Sequence, residues 1–322
     1  MMRTLVTGGA GFIGSHLVDN LLALGHSVIA LDNLSTGSHN NIQQHIHNPH
    51  FEFILGSVLD PETVDDAVSR TDVVYHLAAA VGVRLIVERP LESLVTNIRG
   101  AETVLEMAHR HGRKVLVSSS SEIYGKSLDC PLKEDGDRLL GSPLVGRWSY
   151  STSKAVDEVL AHAYWRTKGL PTVIARLFNT VGPRQSPNYG MVVPRFVRAA
   201  LSNKNLQVFG SGKQTRCFGY VGDIVPALIA LMESSEAEGQ AVNLGSTEEI
   251  TVWDLAELVI ALTGSDSKAQ LVLYDEAYES DFEDMLRRVP DISKARKLIG
   301  FEPRTTLREI VQQMIDEAHR HR

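Results

Sequence analysis

Three groups of side chains in this sequence have the types and spacing that chemistry needs. Tyr150 and Lys154, in Tyr150-Ser151-Thr152-Ser153-Lys154, share one face of a helix beginning near Ser149. An ammonium beside a phenol favours phenolate, drawing its pKa from about 10 toward neutrality and making tyrosine a usable base. Taken alone, the pair is as readily a surface helix pair. The second group, Ser118-Ser119-Ser120-Ser121-Glu122-Ile123-Tyr124-Gly125, follows the strand-like run Val115-Leu116-Val117. Hydroxyls and a carboxylate at the C-terminal end of a parallel strand face the ligand crevice. The plainer reading is a serine-rich turn with a capping role. The third is Gly8-Gly9-Ala10-Gly11-Phe12-Ile13-Gly14, where Gly8, Gly11 and Gly14 have the spacing G-x-x-G-x-x-G. Glycine is needed where backbone turns tightly, approaches a pyrophosphate and lets a helix pack on a strand, with the helix N-terminus facing the anion. Asp32 ends the next apolar run, where a carboxylate can accept both ribose hydroxyls of an adenosine half. An acid there repels a 2′-phosphate, so NAD is expected over NADP.

The elements that must position these groups are α/β in type. Thr4–Thr7 reads as a strand, followed after the glycines by a helix whose stripe is Leu17, Val18, Leu21, Leu22 and Leu24, with Gly25 as its stop. A second strand, Val28–Leu31, completes a βαβ unit with buried parallel strands. The alternation recurs at Phe51–Leu55, Val73–Leu77, Val115–Val117 and Thr172–Leu177. Residues 1–180 therefore read as a Rossmann-type, doubly wound parallel sheet. Prolines and glycines then break the pattern, and 181–322 reads as a smaller mixed α/β substrate domain, with about 220–247 rejoining the first lobe through Ala241–Leu244. Thr251-Val252-Trp253-Asp254 opens a helix that stops at Gly264, and Leu307–Ala318 is the last helix.

The 322 residues suit two domains or one large one, and 32 basic against 39 acidic side chains give a formal net charge of -7. Neither nucleic acid nor an anionic membrane is an expected partner, and any anion must be held by a local site. Cys130 and Cys217 form no metal-spaced pair and no disulfide framework, which suits a reducing, cytoplasmic setting. No run approaches the length of a membrane span, and no signal peptide opens the chain. His39, His45, His47 and His50 crowd a loop without completing a zinc pattern, so no metal is expected. The basic run His109–Lys114 ends a helix, where cations complement the dipole.

The glycine turn, Asp32, His76-Leu77-Ala78-Ala79, the serine-rich strand end and the Tyr150/Lys154 pair together resemble the extended short-chain dehydrogenase/reductases of the NAD-dependent epimerase/dehydratase family, which modify nucleotide sugars. The resemblance covers essentially the whole chain, continuing through Arg176–Arg184 and Thr215-Arg216-Cys217-Phe218. Within the family, Ser121-Glu122 and Arg216 are similar to the UDP-glucuronate decarboxylases, or UDP-xylose synthases. Dehydratases acting at C6 carry Asp-Glu there, and 4-epimerases usually lack the Glu. Arg147-Trp148-Ser149-Tyr150 is similar to the decarboxylase domain of the bacterial enzyme that makes UDP-4-keto-pentose for lipid A modification.

That resemblance implies oxidation of the 4-hydroxyl of UDP-glucuronate and loss of carbon dioxide from the resulting β-keto acid, ending in UDP-xylose, UDP-4-keto-xylose or both. It assigns catalysis to Ser120, Ser121, Glu122, Tyr150, Lys154 and Arg216. NAD contacts fall to the glycine turn with Phe12 and Ile13, to Asp32, Asn33, Ser57, Val58, Leu77, Ala78, Ala79 and Thr180, and to Tyr150 and Lys154. Asn179 and Arg288 are assigned to the diphosphate, the backbone around Gln207 and Phe209 to uracil, and Arg195 and Arg184 are further substrate candidates whose plainer reading is a surface ion pair. The chain departs from the family at Ser57, where Asp is usual, at Met191, in the loop Ala80–Pro90 with Arg84, and in an insertion at Leu128–Gly146. A homodimer built from the helix Leu91–Ala108 and the Tyr150 helix is also implied. The rival readings are a nucleotide-sugar 4-epimerase or 4,6-dehydratase, including the GDP-mannose type, which also carries Ser/Thr-Glu before its tyrosine, and a non-catalytic NAD-binding scaffold.

Overall fold

The computed structural model describes residues 1–82, 86, 88–273, 283 and 285–320. Short runs of apolar residues bounded by turns become strands: β1 (Arg3–Thr7), β2 (Ser27–Asp32), β3 (Phe51–Leu55), β4 (Val73–His76), β5 (Lys114–Ser120) and β6 (Thr172–Leu177). The second half adds β7 (Thr180–Val181), β8 (Leu206–Phe209), β9 (Thr215–Cys217), β10 (Gly219–Tyr220), β11 (Ala241–Leu244), β12 (Glu249–Thr251) and β13 (Ala269–Val272). Among the described residues the main sheet has seven strands in the order β11-β6-β5-β4-β1-β2-β3, all parallel. The order reverses direction beside β1, which opens the ligand crevice at the carboxyl ends of the strands.

Both faces of the sheet are covered, so adjacent residues of one strand enter different cores. Val6 and Ala30 join α1 (Phe12–Ala23) on one side, while Leu5 and Ile29 join α2 (Pro61–Ser69) and α3 (Pro90–His111) on the other. α4 (Trp148–Lys168) packs beside α3 and carries Tyr150 under the end of β5. A smaller lobe gathers α5 (Val192–Leu201), α7 (Val252–Thr263) and α9 (Leu307–Arg320) around Phe196, Val208, Leu255 and Val311. The unit expected over 181–322 is interleaved with the first. α6 (Val221–Glu233) and β11 lie in the large lobe, and α8 (Ser293–Ile299) returns there with Ile292, Ala295 and Phe301 in its core.

Local details depart from the sequence expectation for physical reasons. Leu24 is 61% exposed, because α1 ends at Ala23 and the chain turns away through Gly25 at φ 80°. β4 stops at His76, one residue short of Leu77, whereas β5 runs on through Ser118–Ser120 because those residues keep ladder partners in β6.

The insertion at 128–146 guards the open edge of β11. Asn243 is fully buried, accepts from the Tyr124 hydroxyl at 2.8 Å and donates to the Leu132 and Asp291 carbonyls at 2.9 and 3.2 Å. The Asn243 N–H reaches Glu134 at 2.9 Å, which occupies a donor that an exposed edge would leave open. Asn243→Ala removes the side-chain bonds, but the Tyr124 hydroxyl keeps Arg176 at 2.8 Å and the Leu132 carbonyl keeps the Asp291 N–H at 2.9 Å, so chemical denaturation is expected to show a loss of about 1–3 kcal/mol; no measurable loss would mean that the insertion is not held by this residue.

Candidate functional site

A cleft of about 240 Å³ opens where β1, β2 and β4 end. Its walls are Gly8, Gly11, Phe12, Ile13 and Gly14 from the turn, Asp32 and Asn33 after β2, Ser57 and Val58 after β3, and Leu77, Ala78 and Ala79 after β4. Gly8 has φ 71°, and a Cβ on it would stand 2.8 Å from the Ala78 nitrogen. A Cβ on Gly14 would collide with the Gly8 carbonyl, which is how closely α1 sits on the turn. Gly11 stands at the N-cap of α1, which has neither a side-chain cap nor an acid in its first turn, so its N–H groups and dipole are left to face an anion. Asp32 is 8% exposed and accepts from the N–H groups of Ala10 at 3.0 Å and Leu34 at 2.8 Å, which ties the glycine turn to the ribose acceptor. Burial pushes its carboxyl above the ordinary value, against the pull of those N–H groups. An open helix N-terminus and a fixed carboxylate on the next strand fit the pyrophosphate and ribose of NAD.

A second cavity, of about 200 Å³, lies between the lobes and is lined by Glu122, Arg147, Asn179, Thr180, Gln185, Met191, Arg195, Phe209, Gln214, Arg216 and Arg288. Glu122 is at its centre of charge: Arg147 stands 2.5 Å from one carboxylate oxygen and Arg288 2.7 Å from the other. Burial pushes the Glu122 carboxyl up, but Arg147, Arg288 and Arg216 outweigh it and hold the pKa at about 2. Ser121, fully buried, accepts from the second Arg288 nitrogen. Arg216 is braced by the carbonyls of Thr215 at 2.8 Å and Met285 at 2.7 Å. The Arg195 guanidinium lies 4.2 Å over the Phe209 ring, a cation on an aromatic face at the cavity wall. Asn179 donates to the Cys217 carbonyl at 3.1 Å.

Tyr150 and Lys154 are both buried, and neither is among the residues that line the two cavities. Lys154 Nζ donates to the Ser118 carbonyl at 2.9 Å and to Asp157 at 3.0 Å. Burial pushes the Tyr150 phenol above its ordinary value; Lys154 and the Ser120 hydroxyl pull it down, while Glu122 and Asp157 push it up. Ser120 also accepts from the Glu122 N–H at 3.2 Å and so caps the short turn Ser121–Tyr124, uniting the catalytic and capping readings. His76 is held near pKa 3 by burial and the Lys154 charge, and is neutral.

Not every expected residue converges. Arg288, expected at a phosphate, lines the second cavity and pairs there with Glu122 and Ser121. The Gln207 side chain is exposed and borders a separate hollow with Lys204 and Gln270, because strand alternation turns Leu206 and Val208 inward; the expectation for this segment concerned its backbone. Thr180 lines the second cavity, not the NAD cleft. Arg184 is taken by Asp19 at 2.7 Å and Ser15 at 3.2 Å, the ion-pair alternative. Arg84 lies outside the described residues. Sequence reasoning did not select Arg147, Gln185, Gln214 or Asp157 as site residues; the available signal was the position of Arg147 just ahead of Tyr150 and of Asp157 one turn past Lys154. Among the described residues no group of three metal-ligating side chains gathers, and no helix is long and apolar enough to cross a membrane.

Residues 5–314 match the family model described as GDP-mannose 4,6 dehydratase. The chain is 40% identical over 315 residues to UDP-N-acetyl-alpha-D-glucosaminuronate decarboxylase of Bacillus cytotoxicus, covering 96% of this chain and 97% of that protein. It is 39% identical over 307 residues to UDP-glucuronic acid decarboxylase 1 of Danio rerio, covering 95% of this chain and 70% of that one. Its fold is similar to the crystal structure of UDP-glucuronic acid 4-epimerase from Bacillus cereus in complex with UDP-glucuronic acid and NAD, with TM-score 0.90, 29% identity and 100% of both chains covered.

The depressed Glu122 pKa sets a pH dependence. The stability it lends is complete above the unfolded carboxyl value of 4.5 and is lost as the pH falls toward about 2. Glu122→Gln is expected to flatten the stability profile across that window in acid denaturation; an unchanged slope would mean that the arginines do not hold this carboxylate ionised.

Proposed function

This chain belongs to the GDP-mannose 4,6 dehydratase family of NAD-dependent epimerases and dehydratases, and on that premise we propose that it catalyses the NAD-dependent decarboxylation of UDP-glucuronate, ending in UDP-xylose, UDP-4-keto-xylose or both. The observation that carries this reading is the arginine cluster around Glu122 and Ser121, close to Tyr150. A uronate carboxylate adds a negative charge that a nucleotide-linked neutral hexose lacks, and Arg147, Arg216 and Arg288 can take it up together with the diphosphate. Ser121 in place of Asp disfavours an ordinary 4,6-dehydratase, and Glu122 with Arg216 disfavours a 4-epimerase.

Bound NAD supplies the hydride acceptor for C4 of the sugar. Tyr150, as phenolate, takes the 4-hydroxyl proton, and Ser120 orients that oxygen. Lys154 holds the phenolate by its charge. Oxidation leaves a ketone β to the C6 carboxylate, so the C5–C6 electron pair can flow into an enolate as carbon dioxide leaves. Arg216 holds the carboxylate in line for that departure, and the positive field around Ser121 and Glu122 stabilises the charge that develops. The ionised Glu122 keeps the arginines fixed until substrate anions compete for them.

Asn179, Gln214 and the Arg195–Phe209 face are assigned to the nucleotide half in the same proposal. So are a homodimer formed through α3 and α4, and a cytoplasmic location, which two cysteines without a disulfide-framework pattern suit. A second reading concerns the sugar's C2 substituent, because the Bacillus cytotoxicus relative is named for a 2-acetamido uronate. Comparing kcat/KM for UDP-glucuronate and its 2-acetamido analogue decides between them.

Incubation with UDP-glucuronate and NAD is expected to release carbon dioxide and a pentose nucleotide; turnover of UDP-glucose without that release would overturn the proposal. Arg216→Ala is expected to lower decarboxylation by about 10²-fold or more while weakening UDP-glucuronate binding far less. Full decarboxylation in that variant would refute the role. Tyr150→Phe should cost about 10²-fold or more in turnover, and unchanged function in that variant would favour a scaffold.

A further inference from the structure

Beneath the Tyr150/Lys154 pair lies a carboxylate that the oxidation chemistry does not use. Asp157 follows Lys154 by one turn of α4, is fully buried, and accepts from Lys154 Nζ at 3.0 Å through one oxygen. Among the described residues its other oxygen, Oδ1, has no hydrogen-bond partner. The adjacent Glu158 is saturated by comparison, accepting from Ser119 at 2.5 Å and from two Arg176 nitrogens at 2.9 and 2.8 Å. A buried carboxylate with one partner is costly. The Ser118 carbonyl also accepts from Lys154 Nζ at 2.9 Å, so Asp157 is not the only anchor of the lysine.

We propose that Asp157 is a positioning residue that balances the charge of Lys154, so that Tyr150 stays a phenol until a cation enters the cleft beside it. The inference rests on the reading of Tyr150 as the base of the oxidation. With Asp157 present, phenol, ammonium and carboxylate sum to zero, and the phenolate form carries one net negative charge. Without it, loss of the phenol proton would take the pair from positive to neutral, which burial favours. NAD carries a positive nicotinamide when oxidised and a neutral one when reduced. The neutral combinations are therefore phenolate beside the oxidised cofactor and phenol beside the reduced one. Tyr150 accordingly takes a proton in the oxidation and holds one ready for the return of hydride.

Other groups also face the pair: Glu122 pushes the Tyr150 phenol up in the same direction as Asp157, Glu158 supports the Lys154 ammonium, and burial with Glu158 pushes the Asp157 carboxyl up while Lys154 pulls it down. Glu122, from the turn after β5, is ionised but paired with Arg147 and Arg288. Glu158 of α4 is paired with Arg176 of β6, and His76 of β4 is neutral. The Ser120 hydroxyl carries no charge. Burial pushes the Lys154 ammonium down, but Asp157 and Tyr150 outweigh it, so the lysine stays charged.

The test is the titration of Tyr150 followed by NMR of ring-labelled tyrosine, with Tyr150→Phe identifying its signal among the 8 tyrosines. It is run on the protein as purified, with NAD, and with NADH. In the wild-type protein Tyr150 is expected to titrate at lower pH with NAD than with NADH. Asp157→Asn should lower the NADH-state value by about one unit, a tenfold shift in the equilibrium, and move the acidic limb of kcat/KM the same way. Asp157→Glu keeps the charge and should stay near wild type, whereas a purely structural role would damage both variants alike. No displacement in Asp157→Asn, or an upward one, overturns the proposal. Because the titration needs no turnover, a displaced phenol supports the proposal even in a protein that fails to decarboxylate UDP-glucuronate.

Discussion

A carboxylate buried where two lobes meet has to be neutralised, and the way Glu122 is neutralised organises much of this molecule. Its partners come from separate parts of the chain: Arg147 just before α4, Arg216 on β9 and Arg288 ahead of α8. Breaking such a buried pair costs several kcal/mol because the remaining charge is stranded. The small lobe is therefore joined to the sheet by the same charges that must handle substrate. The interleaving of α6, β11 and α8 with the large lobe follows the same logic, since it carries the chain back to the sheet before and after Arg288 reaches the site.

Set against a net charge of -7, this cluster is local compensation. The protein as a whole offers an anion no attraction, so recognition depends on an open helix N-terminus in one cavity and guanidinium groups in the other. Glu122 occupies Arg147 and Arg288 directly, and a uronate carboxylate has the same chemistry as that glutamate. Substrate then competes for partners already oriented, and the entropy of gathering them is spent in folding and not in binding.

What could be read in the sequence was what depends on local pattern. β3, β6 and β11 have the bounds their apolar runs imply, and Gly8, Gly14 and Asp32 stand where a strand-turn-helix unit must place them. What could not be read depends on tertiary approach. Ser118–Ser120 look like a turn, yet they remain in β5 because β6 and α4 supply partners. Gln207 and Phe209 share one face of β8, but only Phe209, nearer the strand's end, lines the cavity. Arg288 reads as a phosphate ligand by resemblance, and only the folded chain shows it against Glu122. Asp157 is an ordinary helical acid until the burial of α4 leaves one of its oxygens unpaired.

The central claim is that one site oxidises C4 and then removes C6 from a UDP-linked uronate. The most direct measurement uses UDP-glucuronate carrying deuterium at C4 and ¹³C at C6, followed by NMR and mass spectrometry of the products. The account predicts labelled carbon dioxide together with deuterium either returned to C4 of the pentose nucleotide or found on the reduced cofactor. Retention of ¹³C in a nucleotide product, with inversion at C4 and no labelled carbon dioxide, would contradict it and identify an epimerase.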